Sequence, residues 1–299
     1  MDFEKIKTDF EKRYDRTCEN IYFAGMGMGL FSENAKTLSG CVTLGEAMAV
    51  AKRDDERITV QFSGSDSMTS FNVNEIDAHI GMRVARLLKN AQNCGITVGG
   101  ADIFIFKNSR ITDLLEPLII GGLSAFCKNV PRKESLLARF ESYEENMVTL
   151  SGKSKSLTLF DGQRTTHIPF FDGKYKVVIT YTGGYALNKK GMRKSSFQDA
   201  LSALKKGDAE KFGAFLDKDT RKLLKESKGM SQEGIFLAAT KTKDALGNGI
   251  MPNGSVFSLV ENDKVDSFIH NVSVWHQKHF GGVPDFYVTD FCDSGYFAD

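Results

Sequence analysis

Phe3, Ile6, Phe10 and Tyr14 recur at intervals of three and four, so residues 3–17 read as an amphipathic helix with one apolar stripe. IYFAGMGMGLF then begins with strand formers and runs into glycines at 25, 27 and 29. Residues 41–51 and 57–63 read as two strands, and RDDER is expected to turn between them. RITVQFS alternates polar and apolar residues, as a half-exposed strand does, and FNVNEI reads as a third short strand. From His79 to Asn93 the pattern is helical, with Met82, Ala85, Leu87 and Leu88 on the apolar side and Gly95 as the stop. ITVGGADIFIF is a strand broken by Gly99 and Gly100. SRITDLLEPLIIGGLSAFCKN and SLLARFESYEEN read as mostly helical, and Pro117 must start or kink its helix.

The middle of the chain changes character, with β-branched and aromatic residues punctuated by Gly and Pro. Strands are expected at 156–161, 164–168 and 175–182. The run from Ser195 to Ser227 is helical, interrupted at Gly207 and capped again by Asp208. SQEGIFLAATKTKDA is another helix, and LGNGIMPNGSVFSLV a glycine turn into an apolar strand. KVDSFIHNVSVWHQKHFG is an amphipathic helix and PDFYVTDF a final strand. Strands and helices come in blocks rather than strict alternation, which predicts an α+β fold. There is no internal repeat.

Composition narrows the function classes. The 299 residues suffice for two domains or two lobes. Lys and Arg total 39 against 38 Asp and Glu, a net charge of +1, so no basic excess points to nucleic acid. Cys18, Cys41, Cys94, Cys127 and Cys292 are widely spaced with no C-x-x-C, which leaves zinc and redox motifs unsupported. Free thiols in a reducing cytosol are the expectation. MDFEKIKTDFEKRYDR is charged and lacks an apolar segment, so no signal peptide is expected. The longest apolar run, 114–126, contains Glu116 and Pro117 and falls short of the roughly 20 residues of a membrane span. A cytoplasmic protein without membrane partners follows as the expectation. His276 and His279 stand i, i+3 on one helix without a third ligand, and read as partly exposed residues rather than a metal site.

Tyr22–Val42 carries the candidate chemistry. A glycine-rich segment can approach a ligand closely, but G-x-G-x-G is not a dinucleotide fingerprint. A phosphate or sugar cradle and an irregular turn between strands both fit.

Four segments in order add a family to this picture: FAGMGMGLFSENAKTLSGCVTLGEAMAV, RLLKNAQNCGITVGGADIFI, ALSALKKGDAEKFGAFL and NGIMPNGSVFSLVENDKVDSFIHNVSVWHQKHFGGVPDFYVTDFCDSG. Collinear in this way, the chain resembles the galactokinases of the GHMP small-molecule kinase superfamily, except at roughly 130–155. The resemblance implies two α+β lobes around a central cleft, residues 1–170 and 171–299, with the last strand returning to pair nearby. The family's opening loop, APGRVNLIGEHTDYNGG, laid on the chain from Ala24, keeps Leu30, Glu33 and Gly40. Gly27 stands at its phosphoryl-stabilising arginine and Gly29 at its asparagine. Its sugar-binding Glu-His-x-Asp set reads Glu33, Asn34, Ala35, Lys36. Glu33, Asn34, Lys36 and Gly40 are thus the candidate sugar-binding residues, with Lys36 a cationic donor where the family has an acceptor.

The family's phosphate loop, G-x-G-L-S-S-S-A-A-L-E, maps onto Asn108–Glu116, where its Gly/Ser run is missing. GGLSAF at 121–126 reads as core helix instead. The G-I-M-D-Q motif has no match, Asp161 aligns with a downstream strand, and the sugar-touching tyrosine falls near Met192. M-T-G-G-G-F-G-G aligns with 247–254, where a Pro-Asn-Gly hairpin turn fits equally. Ser109, Gly249 and Gly254 are the nucleotide or phosphate candidates; no catalytic or metal-binding residue is assigned. Phosphoryl transfer rests on positioning and electrostatic stabilisation, and removing one strong interaction with the transition state costs about 3 kcal/mol. The expectation is a galactokinase-like protein that has lost phosphoryl transfer and keeps a sugar or nucleotide site. ATP and Mg enter only if kinase activity survives. A divergent ATP-dependent sugar kinase, using Lys36 and Arg110 as replacement cations, and a protein-interaction module remain as alternatives.

Overall fold

The computed structural model of the protein describes residues 1–34, 36–107, 109–131, 149–162, 164–183, 196–226, 232–251 and 253–298. The expected helix SLLARFESYEEN and the position of Met192 lie outside the described residues. The chain divides into two compact units, Met1–Met26 with Leu44–Leu150 and Ser294–Asp299, and Gly27–Thr43 with Ser151–Asp293. Both are α+β, as the block pattern predicts.

In the first unit, helix α1 (Phe3–Tyr14) starts where the Asp2 carboxylate accepts the Lys5 N–H at 3.0 Å, and ends at Asp15 in the left-handed region, φ 51°. Its apolar stripe buries Ile6 and Phe10 against Ala47, Ala49, Ala51 and Phe104. Three alanines on one strand let the helix backbone come close, and the Arg13 guanidinium lies 4.6 Å over the Phe104 ring. The strands beneath are β1 (Asn20–Glu33), β2 (Lys36–Lys52), β3 (Arg57–Phe62) and β4 (Met68–Asn72), joined by β6 (Ala101–Lys107) after the short β5 (Thr97–Val98). β5 itself pairs with β7 (Cys127–Lys128) as a separate two-stranded ribbon. Tyr296–Ala298 adds an edge strand, antiparallel to β1.

Sheet order adds what the strand pattern does not give. β2 and β3 flank a bend at RDDER, as expected, but they are not neighbours in the sheet: β6 lies between them, antiparallel to β2 and parallel to β3. Arg53 clasps Asp55 at 2.7 Å and the buried Asp102 at 3.1 Å. Gly100 permits the junction: a Cβ there would meet the Asp55 carbonyl oxygen at 1.9 Å. FNVNEI also divides. The strand ends at Asn72, whose side chain accepts the Asn74 N–H at 2.8 Å and opens a 3-10 turn over Val73–His79. Helix α2 (Arg83–Asn93) follows, burying Val84, Ala85, Leu87, Leu88 and Ala91, and Gly95 closes it at φ +82°. Helix α3 (Leu115–Gly122) carries Pro117 in its first turn and is buried on nearly every side; GGLSAF is core, as its apolar neighbours predict.

The larger correction concerns the glycine-rich stretch. Tyr22–Val42 is not a loop but the body of β1 and the start of β2, joined at Asn34 with φ +46°. Gly25, Gly27 and Gly29 sit in a strand, because neighbouring strands supply the hydrogen bonds that outweigh glycine's low strand preference. At Gly29 an added Cβ would meet nothing within 4 Å, so packing does not demand glycine there.

In the second unit β8 (Ser156–Phe160) pairs with β2 at Leu38↔Leu159, and β9 (Thr165–Pro169) with β8. A separate antiparallel sheet runs β11 (Ala245–Ile250), β12 (Val256–Glu261), β10 (Tyr175–Tyr181), β13 (Asp285–Thr289). The expected strands at 156–161, 164–168 and 175–182 are present within a residue or two. The long helical run splits into α4 (Phe197–Lys205) and α5 (Ala209–Glu226) at Gly207, φ +71°, and the Asp208 carboxylate accepts the Lys211 N–H at 3.1 Å. Helix α6 (Gln232–Thr242) stops three residues short of expectation, and residues 246–250, read as part of a turn, belong to a strand. There Gly247 faces Gly213 of α5, and a Cβ on Gly213 would meet the Leu246 carbonyl oxygen at 1.8 Å. Helix α7 (Val265–Phe280) lays Phe268 and Val272 against Val178, Val260, Ala238 and Ala239. His276, expected to be partly exposed, is buried, with Nδ1 3.3 Å from the Gly282 carbonyl oxygen. His279 stacks on Trp275 at 4.0 Å.

Candidate functional site

The β1–β2 tip belongs to the second unit. Glu33 ends β1 half-buried, and Gln198 in the first turn of α4 donates from Nε2 to Glu33 Oε2 at 3.1 Å. Asn34 and Lys36 flank the turn and are exposed. A carboxylate, an amide and an ammonium therefore share one tip, a set that can both accept from and donate to hydroxyl groups. Gly40, four residues on, is buried, and a Cβ there would meet Phe291 Cε1 at 2.2 Å and Leu157 Cδ2 at 3.3 Å. That absence of a side chain admits the Phe291 ring to β2.

The β11–β12 hairpin holds the other two glycines, Gly249 within β11 and Gly254 in the turn. A Cβ on Gly249 would meet the Phe257 ring at 2.2 Å, so this glycine serves packing across the hairpin. Gly254 sits at φ +85°, and its N–H donates to the Met251 carbonyl at 3.0 Å. The Ser255 N–H donates to Asn253 Oδ1 at 3.0 Å. Both amides are thus committed within the turn.

In the first unit the segment from β6 to α3 is held by a hydrogen bond of its own and by one to β2. Ser109 Oγ accepts the Ile111 N–H at 3.1 Å, a local turn. At the start of α3, the Leu114 N–H donates to Glu46 Oε2 at 3.2 Å. Glu46 is 0% exposed. Lys107 Nζ lies 3.6 Å from its Oε1 and 3.9 Å from Asp113, which in turn takes Arg83 Nη1 at 2.8 and 2.9 Å. Burial pushes the Glu46 carboxyl above its ordinary range, and Lys107 opposes that shift only in part. A helix N-terminus favours an anion; here the chain's own carboxylate fills the position.

Sequence reasoning missed Glu46 and Gln198. Glu46 left a faint signal, one carboxylate inside the apolar run LGEAMAV. Gln198 left none. Among the described residues no group of three His, Cys, Asp or Glu side chains could hold a metal ion, and no helix is long and apolar enough to cross a membrane.

No family model matches the chain. A Fusobacterium nucleatum galactokinase is 33% identical over 99 residues, 31% of this chain and only 25% of that protein's length. The crystal structure of Lactococcus lactis galactokinase complexed with galactose superposes at a TM-score of 0.80, with 15% identity, over 98% of this chain and 99% of that one. The fold is that of galactokinase. Mevalonate kinase from Methanococcus jannaschii follows at a TM-score of 0.64, with 14% identity, over 91% of this chain and 98% of that one. A D-glycero-D-manno-heptose 1-phosphate kinase from Bacteroides thetaiotaomicron gives 0.60, with 15% identity, over 93% and 98%. The galactokinase-like, GHMP-kinase fold expected from four collinear segments is therefore the fold observed.

Proposed function

We propose that this galactokinase-like protein binds a small hydroxylated molecule of the sugar class at the β1–β2 tip and does not transfer phosphoryl groups. Glu33 accepts from ligand hydroxyls, held in place by Gln198, while Asn34 and Lys36 donate. Gly40 contributes by admitting Phe291 to β2 rather than by touching ligand.

The observation that carries the loss of phosphoryl transfer is Glu46 at the start of α3. A phosphate in that position would have to displace the buried Glu46 side chain, which already accepts the Leu114 N–H. The residues there do not fit a nucleotide phosphate, and Ser109, Gly249 and Gly254 serve local turns and packing. Gly27 and Gly29 supply no cation or amide in place of the family's arginine and asparagine.

Isothermal titration with galactose, with ATP and Mg, and with the mixture tests both halves. Heat with galactose, weakened at least tenfold by Glu33→Ala as expected for a charged hydrogen bond of about 1.5–3 kcal/mol, supports the binding site. No heat and no thermal shift with any sugar or nucleotide removes it. ATP turnover against sugars that Lys36→Ala abolishes replaces this reading with a divergent kinase.

A further inference from the structure

We propose that Cys41 and Cys292 form a reversible disulfide when the protein meets a hydroperoxide. The two residues are 251 positions apart in sequence, yet their sulfurs lie 3.8 Å apart, both as reduced thiols. Both belong to the second unit, and the proposal does not depend on what binds at the tip.

Backbone register makes the pair more than a chance approach. Val42 and Phe291 form an antiparallel bridge. The Cys292 N–H donates to the Cys41 carbonyl at 2.8 Å, and the Thr43 N–H to the Asp290 carbonyl at 2.9 Å. Cys41 and Cys292 therefore stand directly opposite one another, with side chains on the same face. Directly opposite hydrogen-bonded residues have Cα atoms about 5.5 Å apart, inside the roughly 4.4–6.8 Å that a disulfide spans. Closing the bond asks for side-chain rotation and no rearrangement of the strands. Gly152 leaves the space beside it: a Cβ there would meet Cys41 Cβ at 2.2 Å.

Exposure sets the order of events. Cys292 is partly exposed and Cys41 fully buried, so an oxidant reaches Cys292 first. The Cys292 thiol beside it, together with burial, pushes the Cys41 thiol well above its ordinary pKa, which keeps Cys41 protonated until the second step. In the first step the Cys292 thiolate sulfur attacks a peroxide oxygen. The O–O bond breaks, a sulfenic acid forms, and the other oxygen leaves as hydroxide or alkoxide and takes up the proton that Cys292 released. In the second step Cys41 Sγ attacks the Cys292 sulfur. The S–O bond breaks, the S–S bond forms, and the departing hydroxide takes the Cys41 proton and leaves as water. With hydrogen peroxide, two thiols lose two hydrogens and two electrons, and the peroxide becomes two waters. A thiol reductant reverses the bond by exchange. The bond ties β2, one residue after Gly40, to the segment that follows β13.

The test uses the full chain, reduced and then exposed briefly to stoichiometric hydrogen peroxide. The remaining thiols are alkylated under denaturing conditions, counted, and mapped by peptide mass spectrometry. The five thiols are expected to fall by two. A linked Cys41–Cys292 peptide should appear that dithiothreitol removes, and the oxidised protein should melt at a higher temperature because so long a loop is closed. Cys292→Ser, a change at a partly exposed site, should keep all its remaining thiols under the same exposure. The proposal is overturned if all five thiols survive, if Cys292 proceeds to sulfinic acid without a linked peptide, or if the pair consumed is a different one.

Discussion

Replacing Gly40 by alanine should destabilise the protein because of one aromatic ring. The new Cβ would lie 2.2 Å from Phe291 Cε1 and 2.5 Å from Cδ1. The nearer approach is more than about 1 Å inside the roughly 3.5 Å at which carbon atoms rest against each other. The ring has little room to retreat. Phe291 is 5% exposed and its ring centre is 4.9 Å from that of Phe170, edge to face. Phe170 in turn meets Phe171 at 4.8 Å and Phe212 at 5.8 Å, so the displacement passes into an aromatic cluster. Overpacking of a core costs about 1–3 kcal/mol, and restraint on every side places Gly40→Ala near the upper end. Phe291→Leu alone should cost about 1–2 kcal/mol through the smaller side chain and the missing aromatic pairing. In the double variant the smaller residue accepts the methyl, so the two costs should fall short of their sum by about 1–2 kcal/mol. Trp275, the chain's single tryptophan, lies in the same unit and reports urea unfolding by fluorescence. A cost under about 0.5 kcal/mol for Gly40→Ala, or strict additivity in the double variant, refutes the packing argument. Unchanged stability with weakened galactose binding would instead make Gly40 a ligand-binding position.

The buried Glu46 should leave a signature in pH. Its folded pKa is raised, so the stability it contributes is complete below the unfolded value of about 4.3 and is lost as pH rises through the folded value. Glu46→Gln removes that loss. Its melting temperature relative to wild type should climb as pH rises above about 4.3, and a flat or falling difference contradicts the reading. Asp219, 3% exposed, accepts the Ser196 N–H at 3.0 Å and the Ser196 hydroxyl at 2.9 Å at the start of α4. Asp219→Ala strands both donors and should cost about 2–3 kcal/mol by urea unfolding, with Asp219→Asn costing less. Equal costs for the two would show that the carboxylate's hydrogen bonds are not what holds that helix start.

Much of this fold is written locally. The helix over Phe3–Tyr14, the stop at Gly95, the cap at Asp208 and the strands around 156–181 each follow from side-chain period or turn chemistry within a few residues. What escaped is non-local. Nothing near RDDER announces that β6 inserts between its flanking strands, because sheet order is decided by residues roughly fifty positions away. The glycines of β1 look like a loop because local preference is against them, and partner strands override it. The chemistry behaves likewise. Glu33, Asn34 and Lys36 are close in sequence and stay together at one turn, whereas Glu46 meets Leu114 only through the fold. Likewise His276 is on the surface by its spacing and buried in fact, since the Gly282 carbonyl that faces it lies beyond the helix end.

The division of the chain between its units bears on how the protein is made. The first unit takes residues from the beginning, the middle and the far end, and Ile21, Tyr22 and Phe23 pair with Ala298, Phe297 and Tyr296. A ribosome delivering this chain exposes β1 long before the strand that covers its edge exists. Until residues 296–298 emerge, that edge offers unpaired amides and carbonyls to any passing strand. No single cut frees either unit intact, so a shortened chain carries an open sheet edge, and aggregation during synthesis is where truncation should first be felt.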